Sequence, residues 1–208
     1  MKKEDLIDIL VTMSLRMEKE KDYLTDLDNA TGDGDHGINM ARGFKAVSEK
    51  IPSFSGTEDI GAILKTVGMT LVSVVGGSAG PLYGTAFLKA GMEMSGKTEM
   101  SMSDFLACLK SAVDGVMMRG KAVKGEKTML DSMIPAYEAM LDSFRDGKSV
   151  KDCFASGLKA ARDGVEYTKS IIATKGRASY IGERSLGHID PGAESFTILL
   201  ETIYERVS

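Results

Sequence analysis

The sequence predicts an all-α protein. Apolar residues recur at helical spacing along most of its 208 residues. Strand signals are weak, because aromatic residues make up 6% of the chain and strict alternation is rare. The connections between periodic runs are short, which favours antiparallel neighbours in an up-and-down bundle.

The elements follow in order. Leu6, Ile7, Leu10, Met13, Met17 and Leu24 share one face of a first helix over about 4–24. A Gly/Asp-rich loop occupies 28–37, and a second helix runs over about 38–50. Ser55 and Glu58 have capping-box spacing and open a third helix over about 57–75. The run Gly76-Gly77-Ser78-Ala79-Gly80 breaks the chain before a fourth helix that ends near 94. Ser103-Asp104 starts a fifth, ending near Arg119-Gly120. Further helices fit about 128–145, 149–173 and 191–206, eight in all. The 14 methionines suit the irregular gaps between packed helices.

Composition narrows the function. Hydrophobic residues at 43% and charged residues at 27% describe a water-soluble globular chain whose length suits one domain over 1–208. A formal net charge of -4 gives no basic footprint for nucleic acid. No apolar run is long enough for a membrane span, and the charged Met1-Lys2-Lys3-Glu4-Asp5 start is unlike a signal peptide. Cys108 and Cys153, each within a helical pattern, read as buried reduced thiols. A cytoplasmic location is expected.

Four segments carry chemistry. In Asp28-Asn29-Ala30-Thr31-Gly32-Asp33-Gly34-Asp35-His36-Gly37, three carboxylates crowd around glycines that let the backbone turn tightly. Carboxylates this close repel, and a hard cation such as Mg2+ is their natural partner. A solvated Asx-rich turn explains the same pattern equally well. The spacing is not that of an EF-hand. The second segment, residues 73–84, either brings backbone N–H groups and a helix N-terminus to an anion or serves tight helix contact. The third, residues 119–129, is basic and reads as a solvated loop before a phosphate cover. The fourth, residues 174–192, is a long irregular stretch of the kind that is usually functional. Within it Arg177 suits phosphate, and Asp190-Pro191 reads as an N-cap followed by a first-turn proline.

Gly91-Met92-Glu93-Met94-Ser95-Gly96-Lys97-Thr98 satisfies the Walker A pattern, but a P-loop follows a strand and opens a helix at its Lys-Thr pair. The preceding run reads as helix and the next helix starts several residues later, so the match is a coincidence in a loop. His36 and His188 alone are too few for a zinc site.

Taken together and in order, these motifs resemble the ADP-binding L subunit of dihydroxyacetone kinase. The resemblance runs from Leu27-Asp28 and Gly32-Asp33-Gly34-Asp35-His36-Gly37-Ile38-Asn39-Met40 through Gly68-Met69-Thr70 and the glycine cluster. It continues through Asp114-Gly115-Val116, Arg119-Gly120-Lys121-Ala122 and Lys127-Thr128-Met129, and ends with residues 175–185 and 187–193. It implies an eight-helix antiparallel barrel with the nucleotide at one end. It implies two Mg2+ ions on Asp28, Asp33 and Asp35. ADP or ATP would then be lined by His36, Gly37, Ile38, Asn39, Ser78, Ala79, Gly120, Met129, Arg177, Asp190, Pro191 and Gly192. It further implies a K subunit that carries dihydroxyacetone on a histidine, and a phosphocarrier M subunit that recharges bound ADP from phosphoenolpyruvate. No residue of this chain is expected to act covalently. Rival expectations are an ATP-dependent kinase that exchanges its nucleotide, and a nucleotide-loaded partner of a transcription regulator.

Overall fold

The structure is a computed structural model that describes residues 1–207. Its described residues form nine α-helices and two 3-10 segments, with no strand beyond an isolated bridge between Lys2 and Glu99. The fold is therefore all-α, as the periodicity predicts, with one helix more than the expected eight.

The extra helix arises near Glu20. The first run divides into α1 (Lys3–Lys19) and α2 (Lys21–Thr31), because Glu20 leaves helical geometry with φ -90 and ψ 5. Met17 and Leu24 are both fully buried and lie two helical turns apart, so apolar spacing carries across the break and hides it. The chain folds into two compact units.

The first unit contains residues 1–19 and 39–121. It holds α1, most of α3 (His36–Lys50), a 3-10 segment (Ile51–Gly56), α4 (Ile60–Val74), α5 (Ala79–Glu93) and α6 (Met102–Gly120). Two glycine pairs set the spacing of α4 and α5. A Cβ on Gly61 would lie 2.7 Å from the Gly91 carbonyl oxygen, and one on Gly68 would lie 2.8 Å from that of Gly84. Both contacts are too short for any side chain, so the backbones themselves touch, and the pairing order makes the helices antiparallel. The expected Ser55–Glu58 cap does not form. Asp59 caps α4 instead, its carboxylate accepting from the Ala62 N–H at 3.2 Å. At α6 the capping box is Ser101 with Asp104, two residues before the expected start.

The second unit contains, among the described residues, 20–38 and 122–207. It holds α2, the first residues of α3, α7 (Leu130–Arg145), α8 (Val150–Thr168), a 3-10 segment (Arg177–Ser185) and α9 (Pro191–Val207). Gly164 lets α8 pass the backbone of Asp131, where an added Cβ would lie within 2.0 Å of its carbonyl oxygen. α8 ends at Thr168, short of the expected 173, and part of the expected irregular stretch folds into the second 3-10 segment. Ser185 closes that segment, accepting from the Ala173 N–H at 2.9 Å and donating to the Gly182 carbonyl at 2.7 Å. No helix among the described residues is long and apolar enough to cross a membrane.

Candidate functional site

Asp28 sits in the last turn of α2 and is buried. Its Oδ2 accepts from the backbone N–H groups of Asp35 at 2.9 Å and His36 at 3.1 Å. A carboxylate is thereby fixed at the start of α3, where the helix dipole favours negative charge. Gly34 makes the turn with φ +73, and a Cβ there would collide with the Asn29 side chain at 2.0 Å. The tight turn brings carboxylate oxygens of Asp28, Asp33 and Asp35 within 4.8 Å of one another. Two unit charges about 4 Å apart repel by about 4 kcal/mol at an effective dielectric near 20. Against three acids, the one guanidinium in ion-pair range among the described residues is Arg177, 2.8 Å from Asp33 Oδ2. An all-oxygen, acid-rich set of this kind fits a hard divalent cation.

His36, the first residue of α3, is half-buried. Burial holds its imidazole below the ordinary value of 6.5, while Asp28 and Asp35 pull in the other direction. Its Nε2 lies 2.9 Å from the hydroxyl of fully buried Ser195, which donates to the Gly192 carbonyl at 3.1 Å. Gly37 packs against α2 so closely that a Cβ would meet the Lys21 carbonyl oxygen at 2.0 Å. Ile38 is an exposed apolar side chain beside them.

The residues at 190–192 form the start of α9. Asp190 Oδ2 accepts from the Ala193 N–H at 2.7 Å, and the Asp190 N–H donates to Thr168 Oγ1 at 3.0 Å. This is the N-cap with a following Pro191 that the sequence predicts. Burial pushes the Asp190 carboxyl up to about 7, against the Ala193 N–H bond, and nearby Asp131 adds to the rise. Met129 is buried against Gly192, whose missing Cβ would lie 3.4 Å from Met129 Cβ.

The second unit thus brings together Asp28, Asp33, Asp35 and Arg177 on one side, and His36, Met129 and the 190–192 turn through Ser195 and Gly192. The remaining candidates belong to the first unit. Asn39 is buried and its Oδ1 accepts from Arg42 at 2.6 Å, while Arg42 also donates to the Val74 carbonyl at 3.2 Å. Ser78 is exposed at the N-terminus of α5 without a side-chain cap bond, and Ala79 is buried as that helix's first residue. Gly120 is exposed at the end of α6, before Lys121 in the left-handed region at φ 49. In the Walker-like segment, Gly91 is helical and Lys97 binds Asp104 at 2.5 Å, with no helix opening at Thr98.

Sequence reasoning missed several supporting residues. Arg42 stands three residues after Asn39, a spacing at which helical neighbours meet. Asp131 accepts from Gly125 N–H at 2.5 Å and Thr128 N–H at 2.8 Å. The Thr128-to-Asp131 spacing is a helix-start signature that the sequence displays. Lys127 is buried, not solvated, and Ser195 and Thr168 left no local signal.

The chain is similar to several known proteins. Residues 30–205 match the DAK2 domain. The chain is 42% identical over 184 residues to the PEP-dependent dihydroxyacetone kinase ADP-binding subunit DhaL of Escherichia coli (strain K12), covering 88% of this chain and 87% of that one. It is 40% identical over 200 residues to the ADP-binding subunit DhaL of a PEP-dependent dihydroxyacetone kinase 2 of Listeria innocua, covering 96% and 92%. The crystal structure of the C. freundii dihydroxyacetone kinase in complex with AMP-PNP and Mg2+ has a TM-score of 0.74 at 21% identity. That match covers 96% of this chain but 33% of the longer one, and it shows a shared fold. With the domain matched over most of the chain and relatives this similar over most of theirs, the chain belongs to the DAK2-domain family, that of the dihydroxyacetone kinase ADP-binding subunits.

Proposed function

We propose that the chain is the ADP- and Mg2+-binding subunit of a phosphoenolpyruvate-fed dihydroxyacetone kinase. The observation that carries this reading is the convergence of Asp28, Asp33 and Asp35 within 4.8 Å on a backbone that Asp28 itself braces. These three carboxylates would hold Mg2+, two ions by the family resemblance. When bound, Mg2+ offsets the charge on phosphate oxygens during phosphoryl transfer. The rest is done by the chain's own groups. Arg177 offers a planar fork to phosphate. His36, Gly37, Ile38, Met129 and the Asp190-Pro191-Gly192 turn hold the nucleotide. No side chain forms a covalent bond to the phosphoryl group. Recharging comes from a phosphocarrier M subunit, and the phosphoryl group leaves to dihydroxyacetone on a K subunit, all within one cytoplasmic system.

The test is to purify the protein without added nucleotide, dialyse it extensively, denature it and quantify released ADP and ATP by chromatography. Near-stoichiometric ADP is expected. An empty site that binds ATP reversibly would give the role to an ATP-exchanging kinase. Failure to bind any nucleotide with Mg2+ present would overturn the proposal.

A further inference from the structure

Lys127 belongs to none of the residue sets assigned above to metal or nucleotide. It is 1% exposed, a rare state for lysine. Its ammonium donates to the backbone carbonyls of Thr168 at 2.5 Å, His188 at 2.5 Å and Ile171 at 3.5 Å. An ammonium has three donors and no acceptor, so these carbonyls use its full complement. The residue also sits at φ 60, in the left-handed region. That conformation is disfavoured for a residue that carries a Cβ. It persists only where the surroundings over-determine it.

The bonds join three points of the second unit. Thr168 ends α8, and its hydroxyl accepts from the Asp190 N–H at 3.0 Å. Ile171 lies in the following loop, and His188 lies two residues before Asp190. On the lysine's own segment, Met129 packs against Gly192, 3.4 Å from where its Cβ would be. Because the acceptors are carbonyls and not side chains, the ammonium fixes main chain directly.

We propose that Lys127 is the positioning residue of the nucleotide site: without touching the nucleotide, its ammonium locks Met129 and the Asp190-Pro191-Gly192 turn into one arrangement and so sets how long ADP stays bound. This rests on the reading that Met129 and that turn line the nucleotide. A side chain that locks a binding turn acts on ligand retention more than on the chemical step.

The experiment uses the full chain loaded with ADP and Mg2+, as wild type and as Lys127→Met. The ADP dissociation rate is measured together with amide hydrogen exchange at Asp190 and Ala193 and along α4. ADP should leave about tenfold faster, the scale typical of outer-shell partners. The maximal rate at saturating nucleotide should change little. The Asp190 and Ala193 amides should exchange faster by a larger factor than those of α4. Unchanged ADP release would overturn the proposal, as would loosening of α4 to the same degree. Lys127→Arg, which keeps the charge, covers the case in which Lys127→Met does not fold. Its guanidinium cannot place one nitrogen among three carbonyls, so ADP should again leave faster, and a wild-type release rate would refute the inference. Wild-type protein that binds no nucleotide even with Mg2+ present would overturn the nucleotide reading and this inference together. Retained ADP with wild-type release from both variants would overturn the inference alone.

Discussion

The second unit concentrates charge in two places and treats them oppositely. At Lys127 a single positive charge is buried and every donor is met by the protein's own carbonyls. At Asp28, Asp33 and Asp35 three negative charges are gathered within 4.8 Å, with Arg177 as the one guanidinium in ion-pair range among the described residues. The first arrangement is complete without a ligand. The second is short of positive charge, and that shortage is what the proposed Mg2+ would relieve. Where a protein supplies the partner, the charge serves architecture. Where it withholds the partner, the charge serves binding.

The sharpest break of this contrast is Asp33→Asn. Losing one ligand charge should lower phosphoryl transfer by on the order of a hundredfold, while thermal stability of the metal-free protein changes little because the residue is exposed. Turnover assays beside thermal melts check both halves. Wild-type turnover would remove the metal from the argument. Lys127→Met should show a large stability effect. Leaving buried carbonyls without donors should cost about 2–4 kcal/mol in denaturant unfolding. A loss below about 0.5 kcal/mol would show that water replaces the ammonium and that the cage is not architectural.

A third test lies between the two regions, at Asp190, whose folded carboxyl is pushed up to about 7. Between about pH 4 and that value, the unfolded chain releases this proton while the folded chain keeps it. Stability contributed by this group therefore falls as pH rises through the window, by at most about 1.4 kcal/mol per pH unit. His36 tilts the other way below about 6.5, because its folded value is lowered. The check is the difference between wild type and Asp190→Asn, since asparagine still caps the helix. Unfolding free energies from pH 4 to 7 should fall less in the variant. Parallel curves would show that Asp190 ionises normally.

The same two regions explain what the sequence could and could not reveal. The acidic turn was legible because its chemistry is local: three aspartates and three glycines within ten residues define both the charge and the tight backbone. The start of α9 was legible for the same reason, since Asp190 and Pro191 are adjacent. Lys127 was misread as solvated because its carbonyl partners lie 41, 44 and 61 residues away. The break at Glu20 was invisible because Met17 and Leu24 stay in helical phase across it. Short-range chemistry shows in a sequence, whereas long-range carbonyl cages do not.

The smallest stability effect is expected at Arg177, which borders the acidic cluster. Its guanidinium pairs with Asp33 at 2.8 Å, but the two side chains are 58% and 37% exposed. An ion pair this open is worth about 0–1 kcal/mol, so Arg177→Ala should scarcely alter unfolding. Nucleotide retention should nevertheless weaken by about tenfold, because a lost charge-assisted bond to phosphate is worth about 1.5–3 kcal/mol before partial replacement by water. Equilibrium dialysis of ADP with Mg2+, run beside denaturant unfolding, separates the two readouts. Unchanged retention would confine Arg177 to its pair with Asp33. A stability loss as large as that of Lys127→Met would erase the distinction between a charge held for the fold and a charge held for a ligand.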